Sequence, residues 1–500
     1  MSNLRAARRV ARERLGVQRL HPEQAQAIES VLGCRDTLVV LPTGFGKSLI
    51  YQVPAVLFDR PTIVISPLIS LMRDQERKLR QRHVPVVRID STLRAATRRQ
   101  VLARVAKGGS LIVLTTPETL ESLAESTFAA TKPALLCIDE AHCISEWGHD
   151  FRPAYLRLGA QRKVLGNPVM LALTATATPR VRKDIIERLG MKKPVEVVAP
   201  PHRPNLRFAV HIAPGDQKIT TAARLIRRLR RPGIIYCATT KAVDQVAGAL
   251  ARAQIPSARY HGKMKASERT STQRKFMKSK RRMVMVATSA FGMGIDKPDI
   301  RYIVHYQAPG SLEQLVQESG RAGRDGKRSD CILLFDRDDL RIQEHLQKQG
   351  RADPAQIRRV TKALGSWFDE GKTVTPKELA LSARVPLTVA RSCAAQLEEL
   401  GLTTMVKRGH YASRVALEEL RAGAHELAKR LETLRRQDEK RLAALAEYAD
   451  TEECRSRFIR RYFGETSPPK CGICDNCRKR RPTPRRPGRR RRSKRPKSGG

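Results

Sequence analysis

Aromatic side chains are scarce in this chain: Phe, Trp and Tyr make up 4% of 500 residues, and Trp occurs twice. Aromatic packing cannot carry its cores, so any cluster of aromatics stands out. Acidic residues are also short. Lys and Arg number 96 against 49 Asp and Glu, a formal charge of +47, which favours polyanionic partners, nucleic acid first among them. Thirteen of the cations fall in residues 478–497, where there is no acid; without them the charge is still +34, so the body is basic too.

Long apolar runs are missing as well. None approaches the roughly 18 residues of a membrane span, and the N-terminal MSNLRAARRVARERLG lacks the apolar core of a secretory signal. Cys34, Cys137, Cys143, Cys237, Cys331 and Cys393 are scattered, as in a reducing compartment, and the other four cysteines cluster near the end. These absences exclude membrane-embedded and disulfide-framed secreted classes. They leave a cytoplasmic or nucleoid protein as the expectation. The length implies three or four domains, and 41% hydrophobic residues suffice for several cores.

The most informative stretch is residues 139–153, DEAHCISEWGHDFRP. Asp139 and Glu140 end the apolar run Ala134-Leu135-Leu136-Cys137-Ile138. A strand ending this way can offer one carboxylate to Mg²⁺ and the next to a water at the γ-phosphate of ATP. Trp147 and Phe151 follow at once; an exposed aromatic loop beside a hydrolytic pair suggests hydrolysis coupled to something flat, such as a nucleobase.

A second constellation precedes it. The β-branched run Thr37–Leu41 leads into Pro42-Thr43-Gly44-Phe45-Gly46-Lys47-Ser48 and then a helical pattern. Strand, glycine-containing loop and helix start make a phosphate cradle, with backbone N–H groups facing the anion. Lys47 would reach the β- and γ-phosphates and the Ser48 hydroxyl would ligate Mg²⁺. Leu41 stands where the strict pattern asks for Gly.

A second α/β half opens at Gly233-Ile234-Ile235-Tyr236-Cys237 and includes Tyr260-His261-Gly262, Arg269 and Ser289 to Pro298. It ends in Gln317-Glu318-Ser319-Gly320-Arg321-Ala322-Gly323-Arg324. The spacing predicts a helix from Leu312 that carries Gln317, Arg321 and Arg324 on one face. From there two guanidiniums could reach a γ-phosphate across an interdomain cleft.

These motifs, in this order, resemble those of RecQ-type superfamily 2 DNA helicases over residues 15–340 and again over about 440–477. The resemblance implies two tandem RecA-like parallel-sheet domains, at 1–200 and 201–344. Gln24, in His21-Pro22-Glu23-Gln24, would read the adenine; Thr43, Gly44, Gly46, Lys47 and Ser48 would hold ATP, and Ser48 and Asp139 the Mg²⁺. Glu140 would act on the water, Arg324 as the arginine finger and Arg321 as its interdomain partner. Ser66 to Gln75 and Thr115 to Glu118 resemble strand-contacting motifs. Thr174 and Thr176, in Leu173 to Pro179, would couple hydrolysis to strand movement, and Trp147, Phe151 and Arg152 would report strand occupancy. Two departures bear on adenine: Leu15-Gly16-Val17 supplies aliphatics where the family places aromatics, and His21 stands where it places Arg. Weaker stacking and looser nucleotide choice are expected. Phe45 replaces a usual Gly and is expected to stiffen the loop.

Cys454, Cys471, Cys474 and Cys477 give C-x16-C-x2-C-x2-C. Four thiolates make a closed structural Zn²⁺ site, and the surrounding text resembles the RecQ zinc module, here 441–477. Between motor and zinc lie residues the family does not need. Thr375-Pro376-Lys377-Glu378 is a helix start; a second helix runs through Leu400, Gly401 stops it, and Leu402 to Ala412 can form a wing turning near Gly409. That is a winged-helix-like insert at 345–413, for duplex binding through Arg391, Lys407 and Arg408, for protein docking or as a rigid spacer. Leu417, Leu420, Ala424, Leu427, Leu431 and Leu434 repeat at helical spacing in a linking helix, 414–440, weakened at Gly423 and expected to pack on its own chain, with a dimerising coil as the alternative. Residues 478–500 read as a disordered basic tail that adds salt-sensitive affinity for phosphates.

The resulting expectation is an ATP-, Mg²⁺- and Zn²⁺-dependent DNA helicase, translocating 3′→5′ on single-stranded DNA and unwinding duplex DNA in recombination and repair. An RNA helicase, or a non-enzymatic nucleic-acid-binding or annealing protein with a silent motor, are the alternatives. Protein partners stay open, a single-stranded-DNA-binding protein among them.

Overall fold

Short aliphatic runs become the strands of two parallel sheets in a computed structural model that describes residues 2–147, 150–215, 217–279, 283–292, 295–348, 351–407 and 409–479. The first sheet contains β1 (Thr37–Val40), β2 (Thr62–Ile65), β3 (Val86–Ile89), β4 (Ile112–Thr115), β5 (Leu135–Ile138), β6 (Val169–Thr174) and β7 (Val195–Val198), in the order β3-β4-β2-β5-β6-β1-β7. Alternate side chains feed opposite faces. Leu38 and Val40 enter one core and Val39 and Leu41 the other, each core covered by helices. A sheet buried on both faces demands such unbroken apolar runs, and each fully buried Val, Leu or Ile contributes roughly 1.5–3 kcal/mol.

The second sheet contains β8 (Leu206–Ile212), β9 (Gly233–Tyr236), β10 (Ser257–Tyr260), β11 (Val284–Ala287), β12 (Tyr302–His305) and β13 (Ser329–Phe335), in the order β10-β11-β9-β12-β13-β8, all parallel. In each sheet the strand order reverses near the centre, and loops leaving the C-terminal strand ends there converge on a crevice. These are the two RecA-like units. Among the described residues no helix is long and apolar enough to cross a membrane.

The insert is built as its caps dictate. Thr375 accepts from the Glu378 amide at 3.3 Å and Glu378 accepts from the Thr375 amide at 2.7 Å, starting the helix Pro376–Ala383. The helix Leu387–Glu399 follows, then the antiparallel hairpin β14 (Thr403–Lys407) and β15 (His410–Ser413), turning at Gly409 with φ +79°. Arg408 lies outside the described residues, as do residues 480–500 of the basic tail.

One helix, Leu417–Asp450, runs through the boundary expected at 440. Its first half places Leu420, Ala424, Leu427, Leu431 and Leu434 in the insert's core, so the seam faces its own chain. Its second half places Leu445, Tyr448 and Ala449 in a core of the second motor half. Gly423 is where Leu402 packs: a Cβ there would lie 3.3 Å from Leu402 Cγ and closer still to one of its methyls.

Candidate functional site

The phosphate-cradle loop leaves β1, and Asp139-Glu140 leaves β5, so both reach the same edge of the first sheet. They face Gln317, Arg321 and Arg324 of the second half across a cleft of about 520 Å³. The halves meet closely there: a Cβ on Gly320 would lie 2.8 Å from Thr43 Cβ, and one on Gly44 would lie 3.2 Å from Arg324 Cγ. Gly44 and Gly46 have φ of +87° and +76°, conformations an L side chain rarely adopts.

Lys47 donates to the Leu41 carbonyl at 3.0 Å. Burial pushes its ammonium below the ordinary range, opposed by Glu140 and Asp139 and assisted by Arg324. Ser48 immediately precedes the helix Leu49–Leu57, and its hydroxyl makes no capping hydrogen bond. Burial pushes the Asp139 carboxyl up to about 7, Glu140 adds to the rise, and Lys47 opposes it. Two carboxylates facing one near ammonium fit a divalent cation, and Ser48 and Asp139 offer the hard oxygens that Mg²⁺ takes. Glu140 is held in a left-handed conformation, φ +51°, which costs of order 1–3 kcal/mol and marks a constrained position.

Behind the carboxylates lies a buried polar cluster that the sequence did not disclose. His142 Nδ1 lies 3.4 Å from Glu140 Oε2 and 2.9 Å from Thr174 Oγ1. Thr174 Oγ1 donates to the Thr176 carbonyl at 3.2 Å and accepts from the Thr176 amide at 3.3 Å. Tyr155 donates to the Asp139 carbonyl at 3.1 Å. Asp139 and Glu140, the two threonines and the start of the aromatic loop are thus contiguous. His142 lay inside the motif; its link to Thr174, 32 residues away, has no sequence signal.

Two expectations need correction. Arg321 and Arg324 do not share a helical face with Gln317, because the helix Leu312–Ser319 stops at Gly320. The arginines occupy the turns beyond: Arg321 donates to the Gly292 carbonyl and Arg324 to Asp296 at 2.8 Å. The aromatic loop is not openly exposed. Trp147 packs half-buried against the first core with the Arg180 guanidinium over its ring, and Phe151 lies half-buried under Arg430. Gln24 lies against the cradle, where Nε2 donates to the carbonyls of Phe45 at 2.8 Å and Gly46 at 3.2 Å. Arg152 ties the aromatic loop to the Ser66 to Gln75 segment by donating to the Pro67 carbonyl at 3.2 Å. Gly148 and His149 of that loop lie outside the described residues.

The four clustered cysteines converge, with all four sulfurs within 4.8 Å of one another. Cys454 Sγ lies 3.4 Å from Cys471 Sγ and 4.0 Å from Cys474 Sγ. A tetrahedral ion with Zn–S bonds of about 2.3 Å needs S···S separations near 3.8 Å, so the donors fit Zn²⁺. Asp475 inside the cluster accepts from the Val210 amide of β8 at 2.9 Å and from Arg455 at 3.1 Å, and Tyr462 donates to Glu313 at 2.7 Å. The cluster therefore staples the C-terminal helices to the second motor half.

Comparison with known proteins bears on the whole arrangement. The DEAD/DEAH box helicase family matches residues 21–185, the helicase conserved C-terminal domain 217–326, and the RecQ zinc-binding family 417–478. The chain is 34% identical to the ATP-dependent DNA helicase RecQ of Bacillus subtilis, over 92% of this chain and 65% of that protein. It is 33% identical to the ATP-dependent DNA helicase RecQ of a Synechocystis species, over 91% of this chain and 94% of that protein. The chain thus spans a little under two thirds of the first relative and nearly all of the second. Among solved structures, Mss116p bound to single-stranded RNA and AMP-PNP superposes with a TM-score of 0.56 at 18% identity, covering 80% of this chain and 92% of that one. That likeness concerns the fold.

Proposed function

This chain belongs to the RecQ family of helicases, and from that premise we propose that it is an ATP-dependent DNA helicase. It would move 3′→5′ along single-stranded DNA and unwind duplex DNA in recombination and repair, in a cytoplasmic setting. The observation that supports this best is the facing of Lys47, Ser48, Asp139 and Glu140 by Arg321 and Arg324 across one cleft.

The proposed roles follow from placement. Lys47 and the amides of Thr43 to Ser48 bind the phosphates, with Gln24 beside them for the adenine edge. Ser48 and Asp139 hold Mg²⁺, which neutralises phosphate charge when bound. Glu140 orients or deprotonates the attacking water. Arg324 neutralises charge at the γ-phosphate, a role worth roughly 10³–10⁵ in rate, and Arg321 fixes its turn. His142, which bonds Thr174 and precedes Cys143, whose carbonyl accepts from the Arg152 amide, would pass that event to Trp147, Phe151 and Arg152, where each stacked base contributes about 1–3 kcal/mol. Cys454, Cys471, Cys474 and Cys477 hold Zn²⁺ as a structural staple. The division into motor halves at 1–200 and 201–344, insert at 345–413, linking helix, zinc module and basic tail belongs to the same proposal.

A strand-displacement assay on duplexes with a 3′ or a 5′ single-stranded tail, of DNA or RNA, tests this. Mg²⁺-ATP-dependent unwinding of the 3′-tailed DNA is expected. Preference for a 5′ tail would overturn the polarity, and preference for RNA the substrate.

A further inference from the structure

Glu146 lies in the aromatic loop, beside Trp147. Its carboxylate is 2.6 Å from Arg430 Nε on the helix Leu417–Asp450, and both side chains are about 14% exposed, so solvent screens the pair little. Arg441, three turns further along that helix, donates to the Glu146 carbonyl at 3.3 Å. Arg441 is in turn held by Asp438 at 2.8 Å, and Asp438 also receives Arg351 at the entry to the insert. The Arg430 guanidinium sits over the Phe151 ring, 5.3 Å from its centroid. The helix therefore grips the loop at a carboxylate, a carbonyl and a ring.

A base and a guanidinium cannot occupy one face of Phe151 together. Stacking of DNA there and docking of Arg430 exclude each other. We propose that Glu146, Arg430 and Arg441 are positioning residues that hold the aromatic loop in a DNA-free seat, from which single-stranded DNA must displace Arg430. This rests on the reading that the loop senses DNA. Such a seat lowers the fraction of loops ready to bind, so it raises the DNA concentration needed for stimulation without altering the rate once DNA is bound. The insert packs on the same helix, which gives it a physical route to the loop.

The test uses the full chain, with Arg430→Gln, Glu146→Gln and the double variant, titrated with oligothymidylate at saturating Mg²⁺-ATP. Each single variant is expected to lower the half-stimulating DNA concentration about three- to tenfold with a maximal rate within about twofold, and the double to go no further than Arg430→Gln, because Arg430 is the member that covers Phe151 and Glu146 acts by holding it there. A second readout needs no DNA. Trp147 and Trp367 are the two tryptophans, so in a Trp367→Phe background the emission reports the loop alone, and Arg430→Gln should increase its quenching by acrylamide. Unchanged half-stimulation overturns the proposal, as does a fallen maximal rate at unchanged half-stimulation, which would make the contact part of the working loop. If DNA fails to stimulate the parent protein, the DNA-sensing reading fails instead; unchanged quenching would then also remove the seat.

Discussion

Arg324 donates to Asp296 at 2.8 Å instead of pointing free into the cleft. The other oxygen of the same carboxylate takes Lys78 of the first motor half at 2.7 Å. Burial works against charge on Asp296, yet Lys78 and Arg324 hold its carboxyl below the ordinary value, so that carboxylate is ionised near neutral pH. One carboxylate thus joins the halves and restrains the proposed finger until a γ-phosphate competes for it. Arg324→Ala is expected to lower kcat about 10³-fold or more, while binding of a fluorescent ATP analogue changes only a few-fold. Steady-state kinetics beside a binding titration separate the two; a kcat within tenfold of the parent would remove Arg324 from the reaction.

Nucleotide choice should be loose. Val17 lines the cleft as an aliphatic, and the His21 ring packs on Phe45, centroids 4.5 Å apart. The Gln24 amide is engaged at both ends, accepting from the His21 amide at 2.9 Å while donating to the cradle. Adenine therefore gains no aromatic face from the 15–17 segment. The KM for ATP is expected above the low micromolar range, with GTP turned over at a comparable rate. A low-micromolar KM with strict preference for ATP would contradict this.

The motor was legible because its strands are unbroken apolar runs and its chemistry sits directly after them. Thr37–Leu41 holds β1 and Gly233–Cys237 holds β9; the loop after β1 became one lip of the cleft, and Ile295, Asp296, Pro298, Gln317, Arg321 and Arg324 the other. The winged hairpin was legible from Gly401 and Gly409, both at positive φ. What stayed hidden pairs residues far apart: Lys78 with Asp296, His142 with Thr174, Arg430 with Glu146. Such pairs leave no periodicity in the chain. The helical placement of Arg321 and Arg324 failed for a local reason, since Gly320 ends the helix and Gly323, at φ +55°, turns it away.

The zinc cluster is expected to matter for stability more than for chemistry. Asp475 and Arg455 transmit its geometry to β8 and the end of the long helix. Cys474→Ser should reduce zinc content from about one ion per chain and lower the melting temperature by more than about 5 °C, with the KM for ATP little changed. A soluble, zinc-free variant with the parent's melting curve would refute the staple.

Gly423 marks a close approach rather than a weak point. An added methyl improves helix propensity by about 1 kcal/mol but must displace the Leu402 side chain packed against it. Overpacking of that kind costs about 1–3 kcal/mol. Gly423→Ala is therefore expected to destabilise by up to about 2 kcal/mol, read as a shift in denaturation midpoint at constant slope. A clear gain in stability would show that Leu402 yields freely.

The most direct test of the coupled motor is Mg²⁺-ATPase activity of the parent protein and Lys47→Ala, measured without nucleic acid and with matched single-stranded DNA or RNA. Strong stimulation by DNA, weaker stimulation by RNA, and loss of both in Lys47→Ala are expected. Equal stimulation by RNA, or none by either, would contradict a DNA-sensing loop wired to Asp139 and Glu140.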